Sequence, residues 1–169
     1  MASLTDATRD STRRLCDDAT RDSTRRHTPG FLIRLMQHRP LAAGTSLGPE
    51  DSAAYQFAQD LRVATMQRRL RAVWTHPANE LASVDKAMPR RLMVRAAIAR
   101  ALGLITGTSD FLFLWDTGSM AIEFKSADGR LTPNQRDFRD WCALIGVPFH
   151  VVRSSAEGLA LLRAAGVLA

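Results

Sequence analysis

Between Asp110 and Lys125 the chain reads DFLFLWDTGSMAIEFK, and this stretch limits the possible folds more than any other. Two apolar runs rich in strand-forming residues flank the turn-forming Asp116-Thr117-Gly118-Ser119, which is the signature of an antiparallel hairpin. Pairing Trp115 with Met120 across the turn sets Asp110 opposite Lys125 and Leu112 opposite Glu123. Strand side chains alternate, so Asp110, Glu123 and Lys125 share one face, and Phe111, Phe113, Ile122 and Phe124 the other. Two carboxylates and one amine converge on a sheet.

Like charges held together on a half-buried face repel and lose hydration, so something must compensate them. A divalent cation does both jobs. Mg²⁺ takes one or two protein carboxylates and leaves its other positions to water and substrate phosphate. It acidifies a bound water and neutralises phosphate charge, while an adjacent lysine balances the charge that develops. The pattern points to phosphodiester hydrolysis. In the plainer reading Glu123 and Lys125 are a solvated pair on an amphipathic strand and Asp110 is a turn residue; the preceding apolar strand headed by Asp110 argues against it.

Gly107-Thr-Ser-Asp110, twelve intervening residues, Glu123-Phe-Lys125, then Gly129-Arg-Leu-Thr-Pro-Asn-Gln135 resembles the VRR-NUC family of the PD-(D/E)xK nuclease superfamily, over about residues 55 to 165. Ser109 stands where the family usually has proline. The resemblance implies a restriction-endonuclease-like α/β core with a central mixed sheet flanked by helices. It implies a DNA endonuclease dependent on Mg²⁺ or Mn²⁺, in which Asp110, Glu123, Lys125 and Gln135 are catalytic. Asp110, Glu123 and the main-chain carbonyl of Phe124 would hold the metal. Stand-alone members of bacterial or phage type resemble structure-specific enzymes acting as homodimers on branched DNA such as Holliday junctions. The family's first helix commonly carries a further glutamate. The matching region here offers Gln56 and Gln59, so the third carboxylate is either absent or supplied by Glu80. A catalytically impaired DNA-binding module of the same fold is the second reading, and a purely structural or protein-interaction role is a third.

The rest of the chain fits one domain preceded by an arm. With 169 residues, 46% of them hydrophobic, a sizeable core is expected. Residues 1–30 contain DATRDSTRR twice, at Asp6 and at Asp18, with six Arg against five Asp. Such a segment has too little apolar surface to offset its ordering entropy and is expected to be disordered. Residues 31–50 read as a linker and 51–169 as the nuclease-like domain. Cys16 and Cys142 stand in no metal-like spacing, which suits a reducing interior. No apolar run approaches the length of a membrane span. A cytoplasmic protein of a bacterial cell or phage-infected host is expected.

Helical spacing of Phe57, Leu61, Ala64 and Leu70 predicts a first helix over about 52–71, followed by a short strand at Val73–His76. His76-Pro-Ala-Asn-Glu80 resembles a segment common in the family, and His76 itself reads as a structural histidine. Between Arg62 and Arg100 nine Lys or Arg face two acids. That surplus favours a phosphate-binding surface of Lys86, Arg90, Arg91 and Arg95, joined by Arg130 and Arg136 beyond the hairpin. Arg91 and Arg95 sit four apart on a helix expected at about 88–101 and ended by Gly103. Thr132, Pro133 and Gln135 form a capping box for the next helix, with Phe138, Trp141, Leu144 and Ile145 as its buried stripe. A strand over Val147–Arg153 follows. Ser154 with Glu157 then caps a last helix, whose Leu159, Leu162 and Ala165 would face the sheet.

Overall fold

The computed structural model describes residues 30, 34, 41–42, 44–77 and 89–169. The chain divides into two compact units, Met1–His38 and Arg39–Ala169, and the second carries all the elements named below. In order these are α1 (Pro49–Met66), β1 (Val73–Thr75), α2 (Arg90–Ala101), β2 (Phe111–Trp115), β3 (Gly118–Phe124), α3 (Pro133–Leu144), β4 (Phe149–Val152) and α4 (Ser155–Ala164). The strands form one sheet in the order β1-β2-β3-β4. The first two pairings are antiparallel and the last is parallel, so the sheet is mixed, with α3 as the crossover between parallel strands. This is the α/β architecture expected from the sequence. Among the described residues no helix is long and apolar enough to cross a membrane.

The hairpin forms with a shifted register. Trp115 pairs with Gly118, Phe113 with Met120 and Phe111 with Ile122, two places from the expected pairing of Trp115 with Met120. The turn is the two residues Asp116 and Thr117, and Gly118 already belongs to β3. A Cβ at Gly118 would lie 2.8 Å from Cζ2 of Trp115, so the bare glycine lets the indole lie over it in this pairing. A slip of two leaves every side chain on its original face, because the strand period is two. The cross-strand neighbours change: continued by one place, the observed register brings Asp110 level with Glu123.

The aromatic face of the hairpin makes the core. Phe57 on α1 meets Phe111 at 5.1 Å, Phe124 at 5.3 Å and Phe113 at 6.1 Å between ring centroids. α4 crosses α1 at Gly158, where an added Cβ would sit 2.7 Å from Cε2 of Phe57. Gly158→Ala is expected to destabilise the fold by about 1–3 kcal/mol through overpacking, read as a lower urea midpoint at unchanged slope.

α1 begins with Pro49 at its first position and Glu50 and Asp51 in its first turn, where acidic side chains favour the helix dipole. It ends at Met66, not near residue 71. Arg68 takes φ +56°, and the amides of Arg69 and Leu70 both turn back to the Ala64 carbonyl, freeing Leu70 to bridge to Leu168. α3 differs from expectation in its rotation. Cys142 is buried, whereas Trp141, Leu144 and Ile145 are exposed and Phe138 packs edge-on against Phe149. In this rotation Gln135 meets Glu123, Phe138 meets Phe149 and Cys142 is buried. On α4 the buried residues are Gly158 and Leu162; Ala165 is the C-cap and lies exposed. The expected capping box of α4 is half formed: Ser154 accepts from the amide of Glu157, while Glu157 accepts from that of Arg153, one residue before the cap.

Candidate active site

Asp110 stands one residue ahead of β2, and the loop that delivers it is pressed against α3. Gly107 has φ +93°, and a Cβ there would lie 2.5 Å from the Asn134 carbonyl carbon, so both the backbone angle and the close approach require glycine. Ser109, at the position usually proline in the resemblance, is fully buried and its hydroxyl donates to the Phe111 carbonyl. From this anchored start the Asp110 carboxylate reaches across the hairpin, where Oδ2 accepts from the Phe124 amide at 2.7 Å.

Glu123 is 1% exposed. Its Oε1 accepts from Lys125 Nζ at 2.7 Å and from Gln135 Nε2. Its Oε2 is buried and has no hydrogen-bond partner; among the described residues only Arg62 shares that condition. Lys125, also buried, donates to Glu50 Oε1 at 2.8 Å as well, and Glu50 Oε2 accepts from the Ser126 amide at 3.3 Å. A chain of contacts therefore runs from Glu50 on α1 through Lys125 and Glu123 on the hairpin to Gln135 on α3.

The electrostatics follow from burial. Desolvation first, and then the negative charge of Asp110, push Glu123 up to about 7, although Lys125 pulls the other way. Asp110 is raised too, chiefly by burial, against the opposing Phe124 amide and the Lys125 charge. Burial works against the Lys125 ammonium, but its bonds to Glu123 and Glu50 outweigh that and leave its pKa raised. Two carboxyl groups are thus held side by side in conditions that disfavour their ionised forms, with one carboxylate oxygen left unmatched. A buried polar atom with no partner marks a place for an ion or water.

Asp110, Glu123, Lys125 and Gln135 come together in the structure. Gln135 does so while also closing the capping box with Thr132, so one side chain both caps α3 and contacts Glu123. Arg90, Arg91 and Arg95 lie exposed on α2, and among the described residues none of them bonds to the carboxylate cluster; Arg130 is exposed, and Arg136 donates to the Leu131 carbonyl. Glu80 and Lys86 fall outside the described residues.

Glu50 lies in the stretch that reads as linker in the sequence, yet belongs to the first turn of α1. The signal was present in Gly48-Pro49-Glu50-Asp51, where proline at the first helical position and two acids in the first turn mark a helix start. Gln56, by contrast, bonds to Asp60, which also accepts from Ser155 on α4, and so serves the packing of the two helices.

Compared with known protein families, residues 53–156 match the model described as the VRR-NUC domain. The match begins three residues after Glu50 and spans Asp110, Glu123, Lys125 and Gln135. No curated protein and no solved structure matches the chain.

Proposed function

The chain belongs to the VRR-NUC domain family, which indicates a nuclease-type function on DNA, and from that premise we propose that it is a Mg²⁺- or Mn²⁺-dependent endonuclease whose site is the Asp110–Glu123–Lys125 cluster. The observation that carries the reading is the buried, unmatched Oε2 of Glu123 beside a second raised carboxyl group. The residues present suit a hard divalent cation. Among the described residues no three His, Cys, Asp or Glu side chains are grouped to hold one unaided; Asp110, Glu123 and the Phe124 carbonyl form the partial set that Mg²⁺ accepts, with water and phosphate completing it. When bound, such an ion supplies an activated water and charge neutralisation at the phosphate.

The chain's own residues do the rest. Lys125, bonded to Glu123 and Glu50, donates hydrogen bonds and opposes the negative charge that develops on the phosphate. Glu50 holds Lys125 from the far side and adds a third carboxylate at the edge of the cluster. Gln135 locks the Oε1 side of Glu123, which leaves Oε2 as the oxygen available for ligation.

The finer reading is a homodimer acting on branched DNA, as the likeness to stand-alone family members implies. One domain of this size has little surface with which to hold two arms of a junction. The test is to incubate the purified chain with labelled linear, flap and four-way DNA in Mg²⁺, Mn²⁺ or chelator, alongside sedimentation of the free protein. Cation-dependent cutting of the four-way substrate by a dimer is expected. Cutting that persists in chelator would overturn the metal assignment, and a monomer that prefers linear DNA would overturn the finer reading.

The basic helix gives a separate expectation. Arg91 and Arg95 are exposed on α2, and in this reading they contact DNA phosphates. Neutralising both to Gln should weaken binding to all DNA sequences alike and reduce the slope of log affinity against log salt by about 0.9 per lost contact. An unchanged slope would make them an ordinary solvated face.

A further inference from the structure

β1 ends at Thr75, and the chain continues with His76 and Pro77. The ladder pairs Thr75 with Leu112; continued two places, the same register sets Pro77 opposite Asp110. Proline has no N–H to donate, so Pro77 cannot donate a main-chain hydrogen bond to the Asp110 carbonyl. The side chain of His76 reaches it instead. Its Nδ1 lies 2.5 Å from the Asp110 carbonyl oxygen, and its ring packs on that of Phe111 with centroids 5.3 Å apart. A carbonyl oxygen only accepts, so the nitrogen facing it carries the proton.

Asp110 is therefore gripped twice. The imidazole holds its main-chain carbonyl from the β1 side, and the Phe124 amide holds its carboxylate from the β3 side. We propose that His76 is a positioning residue for the cation-binding pair, its Nδ1–H fixing the Asp110 main chain so that the carboxylate stays beside that of Glu123. Partners of this kind, one step removed from the ligands, govern how well a site holds its ion. The inference rests on the nuclease reading of the site, and it assigns His76 no contact with substrate and no proton transfer.

Asparagine and glutamine separate this role from general packing. The amide nitrogen of Asn stands the same number of bonds from Cβ as Nδ1 of His, whereas that of Gln stands one bond farther out. The full-length chain and its His76→Asn, His76→Gln and His76→Ala variants would be titrated with Mn²⁺ without DNA, following free Mn²⁺ by electron paramagnetic resonance. Ala and Gln are expected to weaken Mn²⁺ binding by about 10–100-fold, with Asn close to wild type and the circular dichroism of all four alike. Wild-type affinity in the Ala variant, or an Asn variant as weak as Gln, would overturn the proposal. If the Ala variant fails to fold, the comparison of Asn with Gln decides. Glu123→Gln in the same titration separates the two levels: undiminished Mn²⁺ binding there sinks the metal reading itself, whereas loss there with retention in His76→Gln sinks only the role of His76.

Discussion

Glu123→Gln is expected to lower the rate of DNA cleavage by at least ~10³-fold, roughly 4 kcal/mol of transition-state stabilisation, while leaving DNA affinity within a few-fold. The structure explains why this substitution is clean. Both side-chain donors to the Glu123 carboxylate, Lys125 and Gln135, bond Oε1, and a glutamine keeps an oxygen there. The amide nitrogen then occupies the place of Oε2, which no side chain hydrogen-bonds. What disappears is one negative charge and one ligand oxygen, the two properties a divalent cation needs. Single-turnover cleavage at saturating Mg²⁺, paired with a binding isotherm in Ca²⁺ or chelator, separates the chemical step from association. Equal rates for variant and wild type would remove Glu123 from the chemistry. A loss of binding as large as the loss of rate would show that the charge serves the fold or the DNA and not catalysis.

The second large effect is on stability against pH. In the folded protein burial pushes the Glu123 carboxyl up to about 7 from an ordinary 4.5, and Asp110 is shifted in the same direction. Between those two Glu123 values the folded chain binds more protons than the unfolded one, so raising the pH disfavours folding. The metal-free protein should accordingly lose stability from about pH 5 to about pH 7 and level off above, by up to about 3 kcal/mol from Glu123. Added Mg²⁺ or Mn²⁺ competes with those protons, so its stabilising effect should grow across the same window. Thermal melts at a series of pH values, with and without cation, test both halves. A metal-free melting temperature that is flat or rising from pH 5 to 7 would contradict the raised carboxyls, and a cation effect independent of pH would place the ion elsewhere.

Much of the candidate site was legible in sequence because it depends on short-range rules. Strand alternation alone assigned Asp110, Glu123 and Lys125 to one face and the phenylalanines to the other. That assignment survived a register error of two residues, since only an odd slip exchanges the faces. The start of α3 was readable too, because its cap is completed within four residues, from Thr132 to Gln135. The error in register had a local cause with a non-local character. The turn residues allow more than one pairing, and the observed one sets the Trp115 side chain over Gly118, a contact that no count of alternating residues reveals.

The chain's own order of residues determined its chemistry: two carboxylates and an amine on one strand face, a glutamine at a helix start, and a basic stretch ahead of the hairpin. Tertiary structure decided which groups join them. Glu50 lies 75 residues from the lysine it holds, and the packing of α1 on the hairpin aromatics and on α4 brings its first turn to the end of β3. The rotation of α3, which leaves Trp141 exposed while Gln135 meets Glu123, likewise came from contacts across the fold and not from the helix's own apolar spacing. The raised proton affinity of Glu123 has the same origin. A glutamate in sequence carries its ordinary pKa, and it is burial beside Asp110, possible only after the sheet and both covering helices have closed around it, that sets this carboxyl apart.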